Sequence, residues 1–174
     1  MASVEAIPNA ITGGCLCGSI CYTVNFTKEF PWPPVSSMCQ CTMCRKWTSS
    51  LVAQFLVVAP EQLARPFADS PTYKEYASSP RRFRGFCNQC GTSLIWRSED
   101  DTRTFDLFLG TVDEKWLIGE KTRDGGERHG GFGKLLCTPN GTQFYCENVI
   151  KGVTDLLKGG REFQAETPDS AVCG

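Results

Sequence analysis

Apolar and polar residues alternate over several short stretches of the chain, a pattern typical of β-strands with one buried face. In "SICYTVNF" (19–26), Ile20, Tyr22, Val24 and Phe26 fall on one side and smaller or polar residues on the other. "LVAQFLVV" (51–58) is apolar almost throughout and predicts a buried strand. Four further stretches predict short strands: "TYKEYA" (72–77), "RRFRGFC" (81–87), "TSLIW" (92–96) and "TFDLFLG" (104–110).

The segments between these strands carry turn signals and little evidence of helix. "PWPP" (31–34) suits neither a helix nor a central strand and predicts a stiff connector. Asn140-Gly141, inside "LLCTPNGTQFYCENVI" (135–150), predicts the turn of a β-hairpin. "PEQLA" (60–64) and "VTDLL" (153–157) each favour one or two helical turns. "DGGERHGGFG" (124–133) is half glycine and predicts a mobile loop.

Together these elements predict a mostly β fold of short, mostly antiparallel strands with little helix. A chain of 174 residues suits one domain that buries about 70 % of its unfolded surface. A hydrophobic content of 41 % with 21 % charged residues is typical of a globular protein. We expect a single domain over 1–174, with its core at about 12–163 and a loosely held N-terminal arm and C-terminal tail.

Charge and hydropathy narrow the partners and the compartment. The 18 basic and 19 acidic residues nearly balance, which argues against a nucleic-acid-binding surface. "MASVEAIPNAITGG" lacks the basic start and apolar run of a secretory signal, and no apolar stretch is long enough to cross a bilayer. We expect a cytoplasmic protein that acts on a small molecule, without nucleic-acid or membrane partners, and homo-oligomerisation stays open.

Eleven cysteines change this picture. In a reducing compartment disulfides are disfavoured and clustered cysteines more often bind metal, and an odd total leaves one thiol unpaired in any all-disulfide scheme. Seven of them form three groups: "GGCLCG" with Cys15 and Cys17, "CQCTMC" with Cys39, Cys41 and Cys44, and "CNQCGT" with Cys87 and Cys90. Metal ligation is therefore the favoured interpretation.

The first and third groups predict a structural zinc site. "CNQCG" has the spacing of a zinc knuckle, whose tight turn directs two sulfur atoms at one ion. The glycine-flanked pair in "GGCLCG" can supply the other two ligands, which gives Cys15, Cys17, Cys87 and Cys90. Such a site closes a long loop, where a cross-link stabilises most. Cys39, Cys41 or Cys44 could also exchange with members of this set.

The three remaining cysteines, Cys39, Cys41 and Cys44, predict a second zinc with one open position, the mark of a catalytic site. Three thiolates make a weak Lewis acid that is poorly suited to generating hydroxide. A soft centre of this kind suits binding of another thiol as thiolate, which indicates sulfur substrates and carbon–sulfur bonds. The alternative is that all seven ligands are structural, with an Asp, a His or another Cys in the fourth place.

The cysteine motifs resemble those of a known family. "GGCLCGSICY", "CQCTMCRK" and "FCNQCGTSL", in this order and followed by "LGTVDE", are similar to the glutathione-dependent formaldehyde-activating enzymes, which include centromere protein V. The resemblance covers roughly 12–113. It implies a mostly β fold around zinc (the β-tent), a structural zinc at the four-cysteine set and a substrate-accessible zinc at the three-cysteine set. It also implies addition of glutathione to formaldehyde, giving S-(hydroxymethyl)glutathione.

One late segment departs from the family pattern. Many members carry P-x-x-H-[IL], whereas this chain has "TQFYCENVIKGVTDLLKGGREF" (142–163), with Glu147 and Asn148 near the histidine position. The segment resembles a subgroup associated with fungi, whose members mostly lack assigned substrates. The resemblance therefore indicates the family without fixing the substrate.

Several basic residues are candidates for binding an anionic substrate. Arg45 and Lys46 follow the three cysteines directly and could contact carboxylates of a glutathione-like ligand, or could simply face solvent. Arg82 and Arg84 share one face of a predicted strand, either as a rim for an anion or as ordinary polar-face residues. His129 lies in the glycine-rich segment and could reach a site only by a loop movement.

The other candidates have weaker signals. Glu147 and Asp113 could act as a general acid or base. Cys21 is predicted to be a small packed thiol. Cys137 and Cys146 flank the predicted Asn-Gly turn and are expected to be free thiols facing each other across a hairpin.

These features support three hypotheses of function. The first is a zinc-dependent carbon–sulfur lyase or synthase that acts on a thiol adduct such as S-(hydroxymethyl)glutathione, with two zinc ions per chain and glutathione as a candidate co-substrate. The second is a glutathione-independent zinc enzyme for a small carbonyl or imine metabolite of specialised metabolism. The third is a non-catalytic zinc-binding module.

Overall fold

The computed structural model describes residues 7–122, 125–126 and 128–165. This part of the chain is mostly β. Its strands are β1 Ala10–Gly14, β2 Cys21–Asn25, β3 Val35–Cys39, β4 Ala53–Val58, β5 Tyr73–Ser79, β6 Arg82–Cys87, β7 Ser93–Ser98, β8 Phe105–Phe108, β9 Glu120–Lys121, β10 Arg128–His129, β11 Thr142–Phe144 and β12 Arg161–Glu162. Its helices are α1 Thr42–Thr48, α2 Glu114–Leu117 and α3 Gly133–Cys137, with 3₁₀ turns at Pro60–Gln62, Phe67–Asp69, Leu109–Thr111 and Cys146–Asn148.

Eight strands form one sheet in the order β12-β11-β3-β4-β8-β7-β6-β5, while β1 pairs with β2 and β9 with β10. The pairs from β3 to β5 through the sheet are antiparallel, as predicted. β11 instead runs parallel to both β3 and β12. The sheet is therefore mixed, and the expectation of antiparallel strands holds for all but this edge.

The two faces of the sheet pack against different clusters of residues, as two neighbouring residues of β4 show. Leu56 is fully buried in the larger apolar core, which also contains Ile11 of β1 and Val24 of β2. Phe55 points to the opposite face, because successive side chains of a strand alternate. There it belongs to a second cluster that includes Phe108, Cys39 and Cys41. The sheet thus separates the core from the face that carries the three-cysteine group.

The strands predicted from alternation are confirmed, but the β-hairpin at Asn140-Gly141 is wrong. The residues before this turn form α3, and those after it form β11, which pairs with β3. The turn is fixed against β3 by hydrogen bonds: the Ser36 amide donates to Asn140 Oδ1 over 2.8 Å, and the Asn140 and Gly141 amides donate to the Ser36 carbonyl over 3.1 and 2.8 Å. Contacts with a distant strand therefore override the local hairpin preference.

Helix α1 was not predicted, although it carries part of the three-cysteine group. It begins after Cys41, whose Sγ accepts the Cys44 amide over 3.2 Å, and it ends at Ser49, which adopts a left-handed conformation with φ of 53°. A cysteine sulfur thus replaces the usual oxygen cap, a signal that helix rules based on Ser, Thr, Asp and Asn miss. "PEQLA" contains a 3₁₀ turn, whereas the residues of "VTDLL" form a turn and bend rather than a helix.

The glycine-rich segment is more regular than the predicted loop. Residues 123, 124 and 127 lie outside the described residues, but β10 pairs with β9 and α3 begins at Gly133. The predicted arm and tail fall partly on residues 1–6 and 166–174, which also lie outside the described residues. In the described part of the chain, no helix is long and apolar enough to cross a membrane.

Candidate metal centres and active site

The four-cysteine group is assembled from two turns. Cys15 and Cys17 lie between β1 and β2, and Cys87 and Cys90 lie where β6 turns into β7. Each turn contains a glycine in the left-handed region, Gly18 with φ of 75° and Gly91 with φ of 77°. Residues with a side chain rarely adopt this backbone conformation, so glycine allows both turns to close tightly.

The four sulfur atoms are placed as a zinc ion requires. All lie within 4.8 Å of one another, with Cys15 and Cys17 at 3.5 Å and Cys17 and Cys87 at 3.8 Å. A tetrahedral Zn–S₄ centre with bonds of about 2.3 Å has sulfur–sulfur distances of about 3.8 Å. The four cysteines could therefore hold one metal ion between them, and a structural role for that ion stays a prediction.

Two hydroxyl groups lie beside these sulfur atoms, and neither was identified from the sequence. Ser19 Oγ lies 3.1 Å from Cys17 Sγ and 3.4 Å from Cys87 Sγ. Thr92 Oγ1 lies 3.2 Å from Cys90 Sγ and lowers the pKa of that thiol to about 5. Both residues stand within two positions of a ligand, and a hydroxyl beside a cysteine pair is a signal that could have identified them.

The three-cysteine group is formed by a single strand–helix junction. Cys39 ends β3, Cys41 caps α1 and Cys44 lies in the first turn of that helix. Their sulfurs lie within 4.8 Å of one another. Among the described His, Cys, Asp and Glu side chains, no fourth ligand atom meets the same limit. The group therefore offers three ligands and leaves one tetrahedral position open.

Hydrogen bonds among the three thiols favour a single thiolate in the absence of metal. Bonds from the Cys39 and Cys44 thiols lower the pKa of Cys41, assisted by the Cys44 amide. The bond with Cys41 in turn raises the pKa of Cys39. A divalent cation would reverse this by holding all three sulfurs deprotonated, so metal binding at this group should release protons.

These thiols form one wall of a cavity of about 280 Å³. Its other walls are largely aromatic. The aromatic residues are Phe55, Trp96, Phe108, Phe144 and Tyr145. Met43 and the 78–80 segment complete the lining together with three charged side chains, Arg82, Arg84 and Asp106. A volume of this size holds a small molecule beside the open position of the three-cysteine group.

Arg84 is a buried cation at this group rather than a solvent-facing residue of the strand. It is 3 % exposed, its Nη1 and Nη2 lie 3.6 and 3.7 Å from Cys44 Sγ, and its guanidinium lies 6.0 Å from the Trp47 ring centroid. Of the two interpretations of Arg84, the ordinary polar-face one is wrong. The hydrogen bond with Cys39 and the charge of Arg84 lower the pKa of Cys44, but the bond with Cys41 and burial outweigh them and raise it to about 11.

Asp106 is the functional candidate that sequence reasoning missed. Its partly buried carboxyl lines the cavity, and burial raises its pKa to about 8 although Arg84 acts in the opposite direction. It stands in the middle of the apolar strand "TFDLFLG", where an unpaired carboxylate is costly. That local conflict is the signal by which the sequence could have revealed it.

Comparison with known proteins fits this arrangement. The family model for the glutathione-dependent formaldehyde-activating enzyme matches 10–124, which is more than half of the chain and includes both cysteine groups. The chain belongs to this family. Family membership agrees with the order of the three cysteine motifs, the feature on which the resemblance was based.

Two further proteins are similar to this chain. A Schizosaccharomyces pombe protein named as an uncharacterized lyase is 33 % identical over 84 residues, which cover 48 % of this chain and 55 % of that protein. The chain thus spans about half the length of the curated relative that it matches. A crystal structure of a Rhodobacter sphaeroides protein, 20 % identical, covers 68 % of this chain and 97 % of its own with a TM-score of 0.45.

Arg45 and Lys46, predicted to hold a substrate anion, lie away from the cavity lining. The Arg45 guanidinium donates to three oxygen atoms of the chain: the Asn148 carbonyl at 2.6 Å, the Leu51 carbonyl at 2.8 Å and Gln40 Oε1 at 3.2 Å. It ties α1 to the segment after β11. Lys46 is exposed on α1. Contact of either residue with a substrate stays a prediction.

The remaining candidates also lie elsewhere. The lining of the cavity includes none of His129, Glu147 and Asp113. His129 is exposed in β10, and the Asp113 carboxylate accepts a hydrogen bond from Thr12 Oγ1. Their proposed roles remain untested predictions.

Three other cysteines differ from expectation in their placement. Cys21 is exposed rather than packed, and its Sγ donates to the Gly18 carbonyl over 3.4 Å. Cys137 ends α3 and Cys146 begins a 3₁₀ turn. They do not face each other across a hairpin, because the hairpin itself is absent from this part of the described chain.

Proposed function

We propose that this protein is a carbon–sulfur lyase or synthase that acts on a thiol adduct of a small aldehyde, such as S-(hydroxymethyl)glutathione, at the three-cysteine group. The observation that carries the proposal is that Cys39, Cys41 and Cys44 offer three ligands and an open position at the wall of a cavity. Family membership and the lyase name of the S. pombe relative support the reaction class.

The donor set suits zinc, which when bound would hold a substrate sulfur in its thiolate form. The chain itself supplies the surroundings of that sulfur. Arg84 places a fixed positive charge beside Cys44, and aromatic side chains line most of the cavity. A low-polarity site strengthens the electrostatic effect of this arginine on a bound anion. The second, four-cysteine group would hold a zinc that stabilises the fold.

Replacement of Cys41 by serine tests this function. Serine is a good helix cap, so Cys41→Ser should keep α1 while removing one ligand. We expect one of two bound zinc ions to be lost and the rate of glutathione–formaldehyde adduct formation to fall at least 100-fold, with unchanged circular dichroism. The matched control is Cys21→Ser, an exposed cysteine, which should keep both ions and full activity. Normal turnover by Cys41→Ser would reject the open-site function.

A second candidate is a glutathione-independent enzyme that acts on a compact carbonyl or imine metabolite. It is favoured by the charges in the cavity: Arg82 pairs with Asp100, and Arg84 is engaged by Cys44. Neither arginine is then free for the two carboxylates of glutathione. Calorimetry with glutathione and with a small aldehyde or ketone separates the two. Binding of the carbonyl compound without binding of glutathione would select the second candidate, and tight glutathione binding would select the first.

The proposal includes a cytoplasmic location and a small-molecule substrate. Eleven cysteines with two groups of metal-ligand spacing suit a reducing compartment, where thiolates stay available to a metal. The nearly balanced charge favours a small-molecule substrate over a nucleic acid. Glutathione would be the co-substrate of the first candidate only.

A further inference from the structure

The three charged residues of the cavity differ in what they contact. Arg82 donates to Asp100, and Arg84 lies against Cys44. Asp106 has neither a hydrogen bond nor an ion pair from its side chain to any residue in the described part of the chain. A partly buried carboxyl without a partner lowers the stability of the fold. Its presence in this cavity therefore indicates that it binds a ligand.

Sheet register places Asp106 on the same face as the thiols. Arg84, Trp96 and Asp106 stand directly opposite one another on β6, β7 and β8, so all three side chains leave the sheet on one side. Phe108, two residues further along β8, packs in the cluster that contains Cys39. The carboxyl therefore lines the same cavity as the three-cysteine group, together with the aromatic side chains of Trp96 and Phe108.

We propose that Asp106 is a catalytic residue, which accepts a hydrogen bond from the hydroxyl group of a thiol–aldehyde adduct and takes its proton as the carbon–sulfur bond breaks. This inference rests on the proposed lyase function and names the group that handles the substrate oxygen. It orients the adduct of the proposed function, R–S–CH(R′)–OH, with its sulfur towards the thiols and its hydroxyl towards β8.

The step balances with no further reactant. The hydroxyl proton passes to the Asp106 carboxylate, the oxygen electrons form the C=O bond, and the carbon–sulfur bond breaks with its electron pair on sulfur. The products are the free aldehyde, a thiolate and a protonated Asp106. In the reverse direction the thiolate attacks the aldehyde carbon, and the protonated carboxyl donates to the developing alkoxide oxygen. One proton shuttles between a single carboxyl and a single oxygen in both directions.

The environment of the carboxyl supports this role. Burial raises the pKa of Asp106 to about 8, which allows both protonation states near neutral pH. The other charged or titratable groups that line the cavity come from β6, the β3–α1 junction and the segment after β11: Arg82, Arg84, Cys39, Cys41, Cys44 and Tyr145. The carboxylate oxygens of Asp106 do not meet the 4.8 Å limit that groups the three sulfur atoms. Asp106 is therefore placed to contact a substrate rather than to ligate the metal.

A pair of isosteric thiols tests the hydroxyl contact by binding alone. 2-Mercaptoethanol, whose hydroxyl stands one carbon further from sulfur than in the adduct, and 1-propanethiol differ by a hydroxyl in place of a methyl group. Added to the Co²⁺-substituted protein, each thiol should change the charge-transfer absorption, with the hydroxylated thiol binding roughly ten-fold tighter. Asp106→Ala should abolish this preference, and Asp101→Asn, a surface carboxylate paired with Arg103, should keep it. Equal preference in wild type and Asp106→Ala overturns the proposal.

The metal spectrum before thiol addition addresses the alternative that Asp106 is a ligand. Asp106→Asn, which is nearly isosteric, should leave the absorption of the resting Co²⁺ protein unchanged. A changed resting spectrum would show ligation by Asp106 and overturn the proposed contact.

Turnover then separates the two proposals. With glutathione and formaldehyde as probes, Asp106→Asn should lower kcat roughly 100-fold with little change in KM, while Cys41→Ser loses the metal itself. Wild-type turnover that Asp106→Asn retains in full overturns the role of Asp106 and leaves the lyase function standing. Absence of both thiol binding and turnover in the wild type overturns the lyase function, and the inference falls with it.

Discussion

The guanidinium of Arg84 lies across the sulfur of Cys44, with its two terminal nitrogens at 3.6 and 3.7 Å. Arg84 belongs to β6, which neighbours the edge strand β5, and Cys44 belongs to α1. The contact therefore joins this side of the sheet to the three-cysteine group. A partner that hydrogen-bonds a metal ligand orients the ligand and tunes its charge.

We therefore expect Arg84→Met to weaken zinc binding at the three-cysteine group roughly ten-fold, since it removes the charge beside Cys44. The four-cysteine group, which Arg84 does not touch, should keep its affinity. Competition with a chromophoric chelator resolves the two ions. Arg82→Met is the matched control, because Arg82 pairs with Asp100 instead. Equal weakening by both substitutions would contradict the specific role of Arg84.

The four-cysteine group should determine stability rather than activity. Cys87 is fully buried and its group joins the β1–β2 turn to the β6–β7 turn. We expect Cys87→Ser to lose one zinc ion and to lower Tm by roughly 10 °C or more, because metal binding contributes directly to folding. Differential scanning calorimetry measures this, and Cys21→Ser provides the control. A Tm unaffected by Cys87→Ser would show that the group is not structural.

The raised pKa of Asp106 predicts a pH-dependent stability difference. Because the folded-state pKa of about 8 exceeds the ordinary value, the native state retains a proton that the unfolded chain has lost. The contribution of this group to stability is therefore complete below about pH 4 and declines as pH rises towards 8. Asp106→Asn should gain stability relative to wild type over this range, on the order of 2 kcal/mol, in denaturant titrations at pH 5 and pH 8.

Glu75 provides a control of opposite sign. Hydrogen bonds from Arg97, and one from Tyr73, lower the pKa of Glu75. Its contribution is therefore present above its ordinary pKa and is lost as pH falls through the lowered one. Glu75→Gln should cost stability at pH 7 and little at strongly acidic pH. The same trend in both variants would contradict the assignment for Asp106.

Adjacent residues of β4 should separate stability from substrate preference. Leu56→Ala removes a fully buried side chain from the core and should cost about 2–5 kcal/mol of unfolding free energy. Phe55→Ala enlarges the cavity on the other face and should change KM for thiols of different bulk more than Leu56→Ala does. Unfolding curves and KM values for a short and a branched thiol measure the two effects. Identical KM profiles would contradict the division of the two faces.

Much of this molecule follows from local sequence. The strands and the four-plus-three arrangement of cysteines were predictable because alternation and ligand spacing are local properties. The cap of α1 was not, because its capping atom is a cysteine sulfur, and the turn at Asn140 was not, because its partner Ser36 is distant in sequence. Arg84 and Asp106 acquire their roles only through cross-strand register, which brings together residues from separate strands.

The two cysteine groups also differ in the length of chain that each requires. Cys39, Cys41 and Cys44 lie within a single strand–helix junction, whereas the other group needs residues from Cys15 to Cys90. During synthesis the nascent chain therefore exposes the complete three-cysteine group early. Cys15 and Cys17 remain without their partner ligands until Cys87 and Cys90 have been synthesised. Metal supply during translation should accordingly govern the yield of correctly loaded protein through the four-cysteine group.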